Sequence, residues 1–232
     1  MRIPLTKYGR PQVVVFPLAM LLAIAIFPIA TVGFLDPSII IVVEGILLAV
    51  LTWILTFFRD PQRICPADKD VLFAPADGKV TDIEEIKENG FMEDPALRIG
   101  IFLSIFNVHI NRAPCNVRVE TITHKEGQYR NAMNPQSGRI NESNTLDLIK
   151  TDDPKDKLVV RQVSGAIARR IVCDTAEGKF LTAGQTFGMI KFGSRTELYV
   201  PNCVNIKCLV QIGDKVKAGL TPMVKYEKKI KR

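Results

Sequence analysis

The chain has 232 residues, 47% of them hydrophobic and 24% charged, and carries a formal net charge of +7. These proportions exclude a disordered or collagen-like chain and leave room for one sizeable domain, or a smaller one with an anchor. The basic balance calls for an anionic partner, whether nucleic acid, an anionic membrane or an acidic substrate.

The first elements in chain order decide among these. No Lys or Arg lies between Arg10 and Arg59, and the only acids there are Asp36 and Glu44. Two apolar stretches, 13–35 and 39–58, each approach the ~20 residues that a helix needs to cross a hydrocarbon core. Asp36-Pro37-Ser38 reads as the turn between them, and Pro17 and Pro28 as bends that a membrane helix tolerates. A cleaved signal peptide is the poorer reading, since a second apolar segment follows at once. A buried core hairpin or a monotopic anchor would also use such segments. Basic residues flank the pair outside (Arg2, Lys7 and Arg10; Arg59 and Arg63), so both ends are expected in the cytoplasm. Residues 1–60 are therefore expected to form a helical hairpin anchored in the cytoplasmic membrane, with a catalytic domain, 61–232, facing the cytoplasm. Glu44 is read as an interfacial or helix-packing residue rather than a proton carrier.

Beyond Pro61 short β-rich runs alternate with Gly, Pro, Asp and Asn turns. Strands are expected at 71–73, 79–86, 97–104, 118–124, 157–163, 169–173, 188–192, 197–200 and 206–211. The spacing predicts a mainly β (α+β) fold, a compact antiparallel domain. Asp77-Gly78-Lys79-Val80, Glu177-Gly178-Lys179-Phe180 and Gly213-Asp214-Lys215-Val216 share an acidic/Gly turn before a basic and an apolar residue. Ala183-Gly184 and Ala218-Gly219 follow the last two. The pattern resembles the barrel-sandwich hairpins of biotinyl/lipoyl modules, though ordinary hairpin turns would give it too. Residues 134–157 are polar and turn-rich and are expected to form a loop covering the substrate. The tail from Lys225 carries five positive charges. It is either a solvated terminus or a contact for anionic lipid. Nucleic acid is not expected, for lack of a recognisable motif.

Five cysteines without a CxxC pair, and only two histidines, His109 and His124, supply no metal-site spacing. No metal is expected. The cysteines read as unremarkable thiols, and His124 as structural.

The chemistry-bearing segment is Phe192-Gly193-Ser194-Arg195-Thr196. On its own a Gly-Ser pair between apolar runs is a turn. Chemically it also suits backbone rearrangement. Glycine leaves its carbonyl open to attack and permits unusual dihedrals, and the serine hydroxyl can attack that carbonyl given a base. There is no G-x-S-x-G elbow, and a Ser/His/Asp set of Ser194, His109 and Asp77 stays open because spacing in sequence cannot confirm it.

Five blocks in order, spanning nearly all of the soluble part, carry a resemblance. They are Phe57-Phe-Arg-Asp-Pro-Gln-Arg63, Phe73-Ala-Pro-Ala-Asp-Gly-Lys-Val80, Phe102-Leu-Ser-Ile-Phe-Asn-Val-His-Ile-Asn-Arg-Ala-Pro114, Val160-Arg-Gln-Val-Ser-Gly-Ala-Ile-Ala-Arg-Arg-Ile-Val172 and Phe192-Gly-Ser-Arg195. Together they resemble the short, membrane-associated class of phosphatidylserine decarboxylase proenzymes.

The resemblance implies self-cleavage at Gly193-Ser194 into a large subunit, 1–193, and a small one, 194–232, which stay associated. Ser194 becomes a covalent pyruvoyl group, the only cofactor. Its Schiff base with phosphatidylserine provides the electron sink for loss of carbon dioxide, leaving phosphatidylethanolamine. By the same resemblance His109 is the base for Ser194, and Asp77 orients His109 and stabilises its cation. Longer bacterial relatives carry two histidines in this block, whereas this chain has only His109. Arg112, Arg169 and Arg195 are candidates for the lipid phosphate or carboxylate, unless they are simply solvated at the surface. An archaeal-type serine lipid is a possible substrate, and a soluble amino acid a poorer one. A membrane-tethered, lipoyl-like adaptor without catalysis is the reading from another class.

Overall fold

In the computed structural model, residues 5–87, 91–92, 95–152, 155–166, 170–191, 193–202 and 205–227 are described. They fall into two compact units that divide at Gln62/Arg63.

The first unit is a helical hairpin. A 3-10 turn at Lys7–Gly9 leads into α1 (Arg10–Thr31), and α2 runs over Pro37–Phe57. The segments Gln12–Thr31 and Pro37–Phe57 have mean hydropathies of 2.7 and 2.5 and are long enough to cross a membrane. The first helix ends at Thr31, short of the apolar stretch, because the chain turns where Phe34 and Leu35 both donate to the Thr31 carbonyl. Asp36 then caps α2, its Oδ1 accepting from the Ser38 N–H at 2.8 Å, with Pro37 pre-set for the first helical position. A bridge between Leu5 and Arg59 closes the open end of the hairpin. Apolar side chains along both helices face outward: Ile29 is 79% exposed and Ile41 71%. Glu44 is half-buried in α2.

The second unit is built on a curled antiparallel sheet of eight strands. Its members are β2 (Gly78–Lys87), β3 (Pro95–Leu103), β5 (Val117–Lys125), β6 (Ser143–Lys150), β7 (Lys157–Val163), β9 (Phe180–Leu181), β11 (Ser194–Pro201) and β13 (Lys215–Val216). The order is β13-β2-β3-β11-β7-β6-β5-β9. Two three-stranded sheets complete the unit. One has the order β1-β14-β12, with β1 at Val71–Phe73, β12 at Ile206–Cys208 and β14 at Pro222–Tyr226. The other has the order β4-β10-β8, with β4 at Ile110–Arg112, β8 at Ile171–Cys173 and β10 at Thr186–Ile190.

The strand β11 shows how alternation builds this unit. Leu198 and Val200 join Ile99, Ile101, Leu103, Leu146, Leu158 and Val160 in the main core, and Ser194 and Thr196 share their face. The opposite face carries Arg195, Glu197 and Tyr199, equally buried. A strand buried on both faces is expected to be apolar on both. Here one face is a closed ionic network instead.

The weak internal similarity has a structural counterpart in its last two copies. The strands β9 and β13 lie at opposite edges of the large sheet. Gly178 donates to the Val119 carbonyl and Gly213 to that of Val80, each at 2.8 Å. The paired glycines that follow also match: Gly184 donates to Ala113 and Gly219 to Ala74.

One expectation is corrected. Residues 134–157 are not a single loop, because β6 occupies Ser143–Lys150 and pairs with both β5 and β7. Asn144, Leu146, Leu148 and Lys150 form its buried face, an alternation that the polar run Asn141-Glu142-Ser143-Asn144 masks. Lys150 is accommodated because its Nζ donates to the Asp152 carbonyl and lies over the Tyr226 ring. The true loop is earlier, at 126–142, and includes the helical turn α3 (Ser137–Ile140). Arg169, Phe192 and the last five residues of the basic tail lie outside the described residues.

Candidate active site

Ser194 opens β11 at the centre of the large sheet and is completely buried. Its Oγ has no hydrogen-bond partner among the described residues. A buried hydroxyl normally finds one, so an orphan at this position suits a group whose chemistry is its purpose. Gly193 precedes it with φ +58°, a left-handed conformation that favours glycine.

The Gly193 carbonyl is pressed against Gly165. A Cβ at 165 would lie 2.0 Å from the Gly193 oxygen and 3.0 Å from its carbon. The same Cβ would meet Ala132 of the 126–142 loop at 3.1 Å. Ile105 Cγ2 is the nearest atom to a Cβ position on Gly193, at 3.9 Å. Gly165 thus packs closely on the Gly193 carbonyl, with Ala132 beside Gly165 and Ile105 beside Gly193.

That turn also carries the histidine. Asn107 Oδ1 accepts from both the N–H and the Oγ of Ser104 at 2.8 Å, which fixes the bend. His109 follows, completely buried, with Nδ1 3.0 Å from the Asn107 carbonyl. A carbonyl can only accept, so Nδ1 carries the proton, and in the neutral ring Nε2 is the basic nitrogen. The His109 carbonyl accepts from Ile190, four residues before Ser194, tying this turn to the approach to the Gly193–Ser194 peptide.

Asp77 lies just before β2, where its carboxylate is held by Arg63 through paired bonds of 2.5 and 2.7 Å and by the Ala218 N–H at 2.8 Å. Sequence reasoning missed Arg63, although it closes the first of the five blocks. Two residues before Asp77, the Pro75 carbonyl accepts from the Arg112 N–H at 2.9 Å, which sets this turn beside β4.

Of the three arginines proposed for the substrate, Arg195 is completely buried and engaged at every nitrogen. Nη2 contacts both oxygens of Asp82 at 2.6 and 2.7 Å, Nε reaches Glu197 at 2.7 Å, and Nη1 donates to Thr81. Burial acts to lower the guanidinium pKa, and Glu197 with Asp82 outweighs it, so the net shift is upward. Gly100 makes room for this group: a Cβ there would overlap Arg195 Nη2. Arg195 therefore ties β11 to β2 rather than facing a ligand. Arg112 is nearly buried, its Nη1 donating to the Gly184 carbonyl at 3.0 Å.

A second buried network supports the reactive strand from the core side. Asn111 Nδ2 donates to Thr196 Oγ1 at 3.0 Å, Gln162 Nε2 to Asn111 Oδ1 at 2.9 Å, and Asn144 Nδ2 to Gln162 Oε1 at 3.1 Å. Sequence reasoning missed this network, because Asn111, Gln162, Asn144 and Thr196 each stand beside other polar residues in the chain and only the fold brings them together. Among the described residues, no His, Cys, Asp or Glu group is gathered as a metal site.

The sequence also matches known proteins. The family model for phosphatidylserine decarboxylase matches residues 50–223. A phosphatidylserine decarboxylase proenzyme of Syntrophus aciditrophicus is 36% identical over 219 residues, covering 94% of this chain and 96% of its own length. Proteins of the same name from Carboxydothermus hydrogenoformans and Azorhizobium caulinodans are 42% and 40% identical. Those matches cover 73% and 88% of this chain, and 78% and 86% of the relatives. The blocks that hold Asp77, His109, Gly165 and Ser194 all lie within the matched region, and the chain belongs to the phosphatidylserine decarboxylase family.

Proposed function

We propose that this chain is a membrane-anchored phosphatidylserine decarboxylase that cuts itself between Gly193 and Ser194. The observation that carries the reading is the buried, unpartnered Ser194 hydroxyl beside a carbonyl gripped by Gly165. His109 Nε2 takes the hydroxyl proton, and Oγ attacks the Gly193 carbonyl carbon. The Gly193–Ser194 C–N bond breaks as the ester forms, and the proton returns to the amino group of residue 194. Loss of the residue 194 Cα proton then expels the Gly193 carboxylate from Cβ. The remaining dehydroalanine takes up water and releases ammonia. Asp77, held by Arg63, stabilises the histidine cation between these steps.

The burial of Ser194, which keeps bulk water from a reactive carbonyl, fits a pyruvoyl group at 194. Once formed, that group supplies a carbonyl for the substrate amine and an electron sink for the departing carbon dioxide. His109 is the group available to return a proton to the substrate carbon. Arg112 and Arg169 are the guanidinium groups proposed for the headgroup anions.

The two products, 1–193 and 194–232, remain together in this reading. The small fragment contributes β11 between β3 and β7, and it bonds the large one through Arg195–Asp82 and Thr196–Asn111. The apolar hairpin anchors the enzyme in the cytoplasmic membrane. Positive flanks hold the catalytic unit on the cytoplasmic side, where an anionic serine lipid is presented.

Reconstitution with carboxyl-labelled phosphatidylserine tests the assignment. The wild-type chain should release labelled carbon dioxide and form phosphatidylethanolamine, and Ser194→Ala should do neither. Equal release by Ser194→Ala removes the reading.

A further inference from the structure

Two turns beside Gly193 and Gly165 each carry an exposed apolar side chain. In the first, Ile105 faces Gly193, and Phe106 at its tip is 71% exposed. In the second, Ala132 is buried against Gly165, and its neighbour Met133 is 54% exposed. Tyr129 of the same loop is 43% exposed. Single exposed apolar residues are ordinary, but here they crown two separate turns around one reactive bond.

Neither turn is loose. Asn107 Oδ1 locks the first by accepting twice from Ser104. The base of the second is closed where Gln128 donates to Ile140 and Glu142 donates to Gln128. Asn141 then clamps it, accepting from the Arg130 N–H and donating to the carbonyls of Arg130 and Ser164 at 2.8 Å. The backbone is held in place while Phe106 and Met133 point outward. The charge around them is positive: Arg130 and Arg170 are exposed, and the Arg170 carbonyl accepts from Lys191, three residues before Ser194.

We infer that Phe106, Met133 and Tyr129, with Arg130 and Arg170, form a collar that inserts into the headgroup layer of an anionic bilayer. Aromatic and sulfur-bearing side chains at the tips of rigid turns supply apolar area, and the guanidinium groups meet lipid phosphates and carboxylates. The collar deepens the decarboxylase reading and rests on it for its purpose. A serine headgroup must enter a buried site without its acyl chains leaving the bilayer, so the mouth of the site has to meet the surface directly. The hairpin tethers the protein, and the collar orients the mouth.

Two measurements on the full chain in anionic proteoliposomes test it. In a Trp53→Phe background, which removes the one natural tryptophan, the indole introduced by Phe106→Trp should be quenched by lipids brominated near the headgroup end of their acyl chains. An indole at that position left unquenched in bromolipid overturns the collar, whether it then faces solvent or a second copy of the chain. This reading needs no turnover. Failure of the enzyme reading would show instead as an uncleaved, inactive wild-type chain.

The second measurement uses Phe106→Ser with Met133→Ser. The double variant should self-cleave normally and keep wild-type kcat/KM on short-chain phosphatidylserine dissolved as monomers. On vesicle phosphatidylserine it should lose about fivefold to tenfold, the tether limiting the loss. Equal loss on both substrates, or loss on neither, contradicts the inference.

Discussion

Gly165→Ala isolates the contact on which self-cleavage depends. The new methyl carbon would lie 2.0 Å from the Gly193 oxygen and 3.1 Å from Ala132. Ala132 leaves it little further room to shift. Restoring a normal contact means moving the scissile carbonyl, or Gly165 itself, by roughly 1 Å, and misplacement on that scale costs a reaction about a hundredfold. The assay is a time course of precursor disappearance on a denaturing gel, with a thermal melt to confirm a folded chain. Gly178→Ala is the control. Nothing lies within 4 Å of its Cβ position, so it carries only the strain of φ +78°, about 1 kcal/mol, and should cleave at the wild-type rate. A folded Gly165→Ala chain that cleaves within about threefold of wild type would refute the reasoning.

Other outcomes follow from the same geometry. Asp82→Ala removes the carboxylate that pairs with fully buried Arg195, and should lower unfolding stability by about 3 kcal/mol in denaturant titration. A loss below about 1 kcal/mol would place that pair in effective contact with water. His109→Gln keeps a hydrogen-bonding group of similar reach but supplies no base. Precursor should accumulate over hours, and unchanged cleavage would remove His109 from the role. Burial pushes the Cys115 thiol up to about 12. A raised thiol pKa lowers the reactive thiolate fraction, so at pH 8 Cys115 should resist alkylation in the folded protein and react once unfolded, as peptide mapping would reveal.

Much of this was legible in the chain itself, for identifiable reasons. The hairpin announced itself because a membrane span needs an uninterrupted apolar run, and Asp36-Pro37-Ser38 carries its own turn chemistry. Strands such as 157–163 were readable because a short run rich in Leu and Val, bounded by turn residues, is a local signal. The strand Ser143–Lys150 was not, since its buried face includes Asn144 and Lys150, which are accommodated by Gln162 and Tyr226 from elsewhere in the chain as well as by nearby Asp152. Arg195 misled for the same reason. A charge in a strand reads as facing solvent or ligand. Glu197 is its neighbour on the same strand face, and only the fold brings Asp82 to it. The reactive Gly-Ser pair had almost no local signal. Its grip by Gly165 depends on a contact 28 residues away in sequence, and the role of Arg63 on one 14 residues away. Family resemblance pointed to Gly193 and Ser194, and the fold added Gly165 and Arg63.

The central claim is that residue 194 is a serine only in the precursor. Intact mass measurement of the purified protein, with sequencing of its fragments, tests this most directly. The account predicts two chains, one ending at Gly193 and one beginning at 194 with an N-terminus that is blocked until the pyruvoyl group is reductively aminated. A catalytically active preparation consisting of a single uncut chain with serine at 194 would contradict it.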